Sequence, residues 1–497
     1  MSDEAGQAQR YDEVVYPQLV YHWSHPRSVG AMAALFGIDP APPERCRVLG
    51  IGCGTGANLL SMAFEHPGSE FVGVDVSPRQ IEIGKTHAAA LGLSNATLVA
   101  GSVGDLPASI GTFDYVLAQG VYTWVAPETR DVILRSARRL LKPEGVFYVS
   151  YNCHPGWHLA NVVRELLLRR TDPSAPTVER VQQGREVLRA MHAASDTTSL
   201  VSAAMGLELE FIESMGDEYL AHDHFEPTME AVYFEDFVGH ADRCGLQYVA
   251  NARPERQLAS TQAPSVRAAM EAAPDRLTQQ QILDHLLGTR FRRSLLCRAD
   301  RPPVGSKPAA DVLPRLHARL LRGDAVRRDG EGLVLELGES RRIRLPPGLL
   351  ADWLVDLQRR WPSSVALRDR LDEAGPARVA AADALVRLFF AGGVELLLSP
   401  VSAASELTAR PLGAECARIQ AGFGRWVCSR VHRSEGLGPG EAEVLRALDG
   451  TRTTAEVARL LGARPADVKR AARGFLERCL LVAPPPTAPR HLDDSGG

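Results

Sequence analysis

The sequence predicts an α/β protein: a doubly wound parallel sheet with helical insertions, followed by small α+β units of winged-helix pattern. Three observations predict it. Short apolar runs alternate with amphipathic segments from residue 46 to 151, a glycine-rich turn "IGCGTG" ends the first run, and helix–turn–helix patterning replaces the alternation after about residue 300.

Each element follows from its local sequence. The runs "CRVLGI" (46–51), "FVGVDV" (71–76), "ATLVAG" (96–101), "FDYVLAQ" (113–119) and "GVFYVSY" (145–151) have the length and composition of buried strands. Amphipathic stretches at 78–91 and 127–141 separate them, the second closed by the helix stop Lys142-Pro143-Glu144-Gly145. Repeated strand, helix, strand implies a parallel sheet, whose ligands bind beyond the carboxyl ends of the strands. Functional residues are therefore expected just after each apolar run.

The segment 171–215 carries no strand signal, whereas "YFEDFVGHADRCGLQYVANA" (233–252) and "FRRSLLCR" (291–298) supply two late strands of the same sheet. Helical insertions then occupy 171–230 and 254–289, and "ADRPPVGSKPAAD" marks a boundary near 300. The expected domains are a lid segment (1–44), a core with its insertions (45–300), two winged-helix-like domains (301–400 and 401–484) and a proline-rich disordered tail (485–497).

Composition excludes several classes. A net charge of −4 gives no global attraction to nucleic acid or anionic membrane. The last candidate helix carries Lys469, Arg470, Arg473 and Arg478, but Asp467 and Glu477 share it, so a solvated or protein-binding face is expected there and no nucleic acid partner. The polar, acidic start and the lack of a long apolar run predict neither export nor membrane insertion, hence a cytoplasmic location. Eight scattered cysteines without metal-ligand spacing read as small buried hydrophobes, and no metal site is expected.

Gly52, Gly54 and Gly56 make a turn that lets backbone amides approach a ligand, and Asp75 closes the next strand where a carboxylate can accept from ribose hydroxyls. Alone, this pattern also suits a dinucleotide. Later motifs decide. "IGCGTG", "GVDVSPRQIEIGK", "LVAGSVGDLP" and "LLKPEGVFYVS" resemble, in order, the first, second, third and fifth motifs of class I S-adenosylmethionine-dependent methyltransferases. Further stretches, "YDEVVYP" (11–17), "FDYVLAQGVYTWV" (113–125), "SYNCHPGWH" (150–158) and "TRFRRSLLCR" (289–298), resemble the methyltransferases that carry a methyltransferase regulatory domain, a group that includes rickettsial lysine methyltransferases acting on outer-membrane proteins.

That resemblance implies a Rossmann-like class I methyltransferase sheet, S-adenosylmethionine as cofactor, and a protein substrate with lysine acceptors, including cell-envelope protein precursors. It leaves a homodimer open. Two rival readings are a small-molecule methyltransferase of biosynthesis and a cofactor-binding scaffold without turnover. The cofactor residues it implies are Gly52, Gly54, Gly56, Asn58, Asp75, Val76, Ser102, Val103 and Gln119. Three positions depart from the group: Gly50 stands where a carboxylate helps hold the methionine ammonium, Ser102 where many enzymes have an acid near the adenine, and Gln119 where a histidine is common. Asp105, Glu13 or another acid would have to substitute for the first.

Methyl transfer is an in-line displacement, so the protein mainly aligns nucleophile and methyl. A lysine must first lose its proton, which costs roughly 4 to 5 kcal/mol at neutral pH from a pKa of about 10.4. Aromatic faces orient cations. Tyr122 and Trp124 follow the fourth strand, Tyr151, Asn152, His154 and Trp157 follow the fifth, and Tyr11, Tyr16 and His25 lie in the lid segment. Tyr11, Tyr16, Tyr122, Tyr151, Asn152 and Trp157 are the expected catalytic set.

Overall fold

A computed structural model describes residues 3–337 and 341–483. The chain divides into two compact units, residues 1–316 with 368–399 and residues 317–367 with 400–497. The expected tail at 485–497 lies outside the described residues.

The first unit is a seven-stranded sheet in the order β3-β2-β1-β4-β5-β7-β6. Its strands are β1 Arg47–Ile51, β2 Glu70–Asp75, β3 Ala96–Ala100, β4 Phe113–Ala118, β5 Leu141–Asn152, β6 Leu246–Asn251 and β7 Phe291–Arg298. The expected parallel sheet is in fact mixed: β7 runs antiparallel to both β5 and β6. Periodicity reports a strand but not its direction, and β7 enters after the helical segment 254–289 and reverses. The helix stop at 142–145 also behaves differently, since β5 begins at Leu141 and the stop becomes an irregularity in its pairing with β4.

Helices α1 Asp3–Glu13, α2 Pro26–Leu35, α3 Ala57–Glu65, α4 Pro78–Ala90 and α5 Pro127–Leu140 belong to the amino-terminal part. Their starts follow ordinary capping chemistry. Ser77 Oγ accepts from the Gln80 amide at 3.1 Å with Pro78 in the first turn of α4, and His25 Nδ1 accepts from the Arg27 amide at 3.1 Å to cap α2. The first insertion is helical: α6 Trp157–Arg170, α7 Thr177–Ala194, α8 Leu200–Ser214 and α9 Asp217–Asp223. These pack around Leu167, Leu188, Met205, Ile212 and Leu220 as a separate apolar cluster. After α10 Phe234–Arg243, the second insertion holds α11 Pro264–Glu271 and α12 Arg276–Leu287. Asp275 caps α12, and Gly288, with φ +55°, stops it.

Both faces of the central sheet are buried. One large apolar cluster joins Leu49, Val116, Phe147 and Val149 of the sheet to Leu134 and Ala137 of α5 and Phe237 and Ala241 of α10. Residues 378–391 and 394–397 return as a helix and strand to this unit, where the Leu398 amide donates to the Arg27 carbonyl at 2.9 Å. The second unit has its own core. An antiparallel sheet is formed by 326–329, 332–337 and 341–345, and the helices 441–447, 454–461 and 465–477 enclose Leu445, Val457, Val468 and Phe475. Among the described residues, no helix is long and apolar enough to cross a membrane.

Candidate active site

The glycine turn sits at the carboxyl end of β1, where topology places ligands. Gly52, Gly54 and Gly56 have φ of +63°, +57° and +76°, a region that disfavours side chains. Close approach adds a second constraint at Gly52, where a Cβ would stand 2.5 Å from Val121 Cγ2. Asp75, at the end of β2, locks the turn: its two carboxylate oxygens accept from the Gly54 amide at 2.8 Å and the Ser77 amide at 2.9 Å. Burial raises the Asp75 pKa above the usual carboxylate range, and the two backbone donors restrain the rise. Each oxygen keeps accepting capacity for a ligand hydroxyl.

Beside this turn lies a cavity of about 450 Å³, within the usual size of small-molecule sites. Of the residues implied for the cofactor, Gly52, Gly54, Asn58, Asp75, Val76, Ser102, Val103 and Gln119 line it. Tyr11, Tyr16, Asn152 and Trp157, from the expected catalytic set, line it as well. Asn58 also ties the amino-terminal segment down, accepting from the Tyr21 amide and donating to Ser24 Oγ, both at 2.9 Å. Gln119 Oε1 accepts from the Tyr148 hydroxyl at 2.5 Å.

Three expected residues are not in the cavity wall. Gly56 turns into the core, where its Cβ position meets Leu98 and Leu60. Tyr122 and Tyr151 face the α10 layer instead. Tyr122 donates to or accepts from His240 Nδ1 at 2.8 Å and meets Phe237 edge-on, while Tyr151 stacks on Phe237 with ring centroids 4.1 Å apart and pairs with Ser294 Oγ at 2.9 Å. The reason is strand alternation: Asn152 is turned to the cavity, so its neighbour Tyr151 must point the other way.

The Gly50 departure has a local explanation. A Cβ there would stand 2.5 Å from Leu59 Cδ1, so the leucine fills the space that a larger residue would need. Neither proposed substitute acid reaches the cavity wall. Glu13 accepts from the Thr177 amide and hydroxyl, and Asp105 is not among the lining residues. The acid that does line it, besides Asp75, is Asp223.

Asp223 belongs to a wall that the sequence did not single out, formed by Phe211 of α8 and Tyr219 and His222 of α9. Tyr11 stacks on His222 at 4.2 Å, and Tyr16 lies 5.6 Å from the same ring and 5.9 Å from Tyr219. Burial lowers the His222 pKa to about 4, and its Nε2 donates to the Val14 carbonyl at 2.7 Å, so the ring is neutral at neutral pH. The Asp223 charge, then burial, raises the Tyr219 pKa, which keeps that hydroxyl protonated. Behind Asp223, burial alone would lower His224, but hydrogen bonding to Asp223 and Glu208 and their charges raise it to about 9.

Helix α1 is held over this wall from both sides. Arg10 pairs with Glu226 beyond α9 at 2.5 Å, and Asp12 accepts from Ser77 Oγ at 2.5 Å at the start of α4. Gln80, Trp124, Arg290, Phe291 and Arg293 complete what sequence reading missed or left open. The alternation of β7 could have paired Phe291 with Arg293 on one face, whereas nothing local marks Gln80 or Asp223.

A family model described as a methyltransferase domain matches residues 43–194, and one described as a predicted methyltransferase regulatory domain matches 216–298. The protein RP028 of Rickettsia prowazekii is 35% identical over 234 residues, which cover 47% of this chain and 94% of that protein. RP789 of the same organism is 32% identical over 295 residues, 58% of this chain, and the match spans only 53% of that relative. Among solved structures, PKMT2 from Rickettsia typhi superposes with a TM-score of 0.80 at 25% identity, over 94% of this chain and 100% of that one. The same protein in complex with AdoHcy gives the same TM-score at 24% identity. The chain therefore belongs to the S-adenosylmethionine-dependent methyltransferases that carry a methyltransferase regulatory domain.

Proposed function

We propose that this protein transfers the methyl group of S-adenosylmethionine to lysine amines of a protein substrate. The observation that carries the proposal is the division of one cavity: a glycine turn and Asp75 at one end, aromatic rings and a second carboxylate, Asp223, at the other. The likeness to PKMT2 over nearly the whole chain supports it.

The residues fit the cofactor. Asp75 is pre-set by two backbone donors with lone pairs to spare, and the side-chain amides of Gln80 and Asn152 are buried in the cavity wall with polar atoms that make no hydrogen bond among the described residues. Such groups call for a polar ligand. Asp75 would bind the ribose, Val76, Ser102 and Val103 the adenine, and Gly52, Gly54 and Gln119 the amino-acid part. Asn58 holds the amino-terminal segment against them. The cofactor supplies an electrophilic methyl on a sulfonium.

The other end does what an amine acceptor requires. Tyr11, Tyr16, Trp157 and Tyr219 offer ring faces and hydroxyls to a cationic side chain, and Asp223 accepts a hydrogen bond from its ammonium. His222, being neutral, adds no positive charge to the wall, while the His224 imidazolium behind Asp223 is shared with Glu208. The aromatic wall also removes water from the amine, which favours the uncharged, nucleophilic form. The test is transfer of labelled methyl to lysine-bearing polypeptides, with small-molecule amines as the control. Labelling confined to the small molecules would favour the biosynthetic alternative.

A further inference from the structure

Strand β7 places two consecutive arginines on opposite faces of the sheet. Arg292 turns toward α12, where Nε donates to Asp284 Oδ2 at 2.5 Å and the guanidinium lies 3.9 Å from the Phe234 ring centroid. Its charge is matched within the protein. Arg293 faces the cavity, because side chains alternate along a strand and its register partner is Ser150, on the side of β5 that also carries Asn152.

Arg293 has no such match. Among the described residues no carboxylate lies within ion-pair distance of it; its neighbours are the neutral Tyr148 hydroxyl, with which it interacts as a hydrogen-bond donor, and the Phe291 ring, 4.8 Å from the guanidinium carbon. The other arginine of the cavity, Arg290, is paired with Glu208 at 2.5 Å. Arg293 therefore brings an unmatched, half-buried positive charge into an enclosed site, an arrangement that an anionic ligand group would relieve. Its surroundings are hydroxyls. Burial pushes the Tyr148 hydroxyl up to about 12 and raises Tyr21 too, while in both the neighbouring Arg293 charge pulls the other way.

The position of Arg293 selects the anion. Tyr148 donates to Gln119 at the end of β4, and Gln119 and Gly52 line the same cavity. With Asp75 holding the ribose, Gly52, Gln119 and Arg293, which line the same cavity, would hold the amino-acid end of the cofactor. A lysine acceptor would be repelled by a guanidinium; a carboxylate would meet its planar donor fork. We infer that Arg293 binds the carboxylate of the amino-acid end of S-adenosylmethionine, an assignment that rests on the methyltransferase reading above.

The test is calorimetric titration of the full chain, wild type, Arg293→Gln and Arg293→Lys, with S-adenosylhomocysteine and with its decarboxylated analogue, which keeps the adenosine, sulfur and ammonium. The assignment predicts that Arg293→Gln weakens S-adenosylhomocysteine about 10- to 100-fold, changes the decarboxylated analogue by less than about twofold, and that Arg293→Lys recovers part of the loss. Equal weakening of both ligands would mean a structural role and would overturn it, as would no change in either. If Arg293→Gln bound both ligands normally but lost affinity for the acceptor, the anion would be the acceptor's and the assignment wrong. A wild-type protein that bound neither ligand would instead remove the methyltransferase reading itself.

Discussion

The two ends of the cavity are built by opposite means. The glycine end comes mainly from one stretch of chain, residues 50–103, and works mainly through backbone: three left-handed glycines, amides fixed by Asp75, and strand ends in neighbouring register. The aromatic end comes from α1, α6, α8 and α9, and works through side chains whose pKa values are shifted by burial and by one another. A backbone cradle admits few sequences, so it is recognisable and rigid. A side-chain wall can be rebuilt residue by residue, so it is the part suited to setting acceptor identity.

The comparison predicts that damage to the first end removes cofactor binding, while damage to the second spares it. The largest effect is expected for Asp75→Ala, which leaves the Gly54 and Ser77 amides without their acceptor and removes the proposed ribose partner. At about 1.5 to 3 kcal/mol for each charge-assisted hydrogen bond, cofactor affinity should fall by about 100-fold or more in calorimetry. An unaltered Kd would break the comparison at once. Next comes Gly52→Ala, which combines φ +63° with a 2.5 Å approach to Val121 and should cost roughly 1 to 3 kcal/mol in thermal unfolding. Adding Val121→Ala should recover the contact but not the backbone strain.

At the other end, Asp223→Asn should lower kcat/KM for a lysine peptide by about tenfold, the worth of one charged hydrogen bond, and leave cofactor affinity as it was. A parallel loss of cofactor affinity would show that the two ends are not separable. The smallest effect concerns pH. His222 takes a proton near 6.5 when unfolded but only at about 4 when folded, so its contribution to stability is present above 6.5 and is lost as pH falls through 4. His222→Gln should flatten the decline in thermal stability over that interval; an unchanged slope would locate the titrating group elsewhere.

The same contrast explains what could be read in the sequence. Strands 47–51, 70–75 and 113–118 coincide with the apolar runs, because a strand buried on both faces must be apolar on both; the edge strand 96–100, where only Leu98 is buried, is matched by its run as well. Gly52, Gly54 and Asp75 were legible for a related reason: a left-handed turn and a strand-end acid are local demands on residue type. Tyr122 and Tyr151 were misplaced because following a strand fixes a neighbourhood and not a face; one residue of alternation separates Tyr151 in the core from Asn152 in the cavity. Asp223 and Tyr219 were invisible for a stronger reason. Their helix has the pattern of any insertion helix, and only tertiary packing against α1 brings it to the glycine end. Leu59 beneath Gly50 belongs to the same class, a compensation that appears only when the space is seen.

The most direct test of the account is mass spectrometry of lysine-bearing polypeptides incubated with S-adenosylmethionine and the wild-type, Asp75→Ala or Asp223→Asn protein. The account predicts lysines heavier by one methylene with the wild type, none with Asp75→Ala, and slower modification with Asp223→Asn under saturating cofactor. Tight cofactor binding by the wild type without methylated lysine in any polypeptide offered, or undiminished modification by Asp223→Asn, would contradict it.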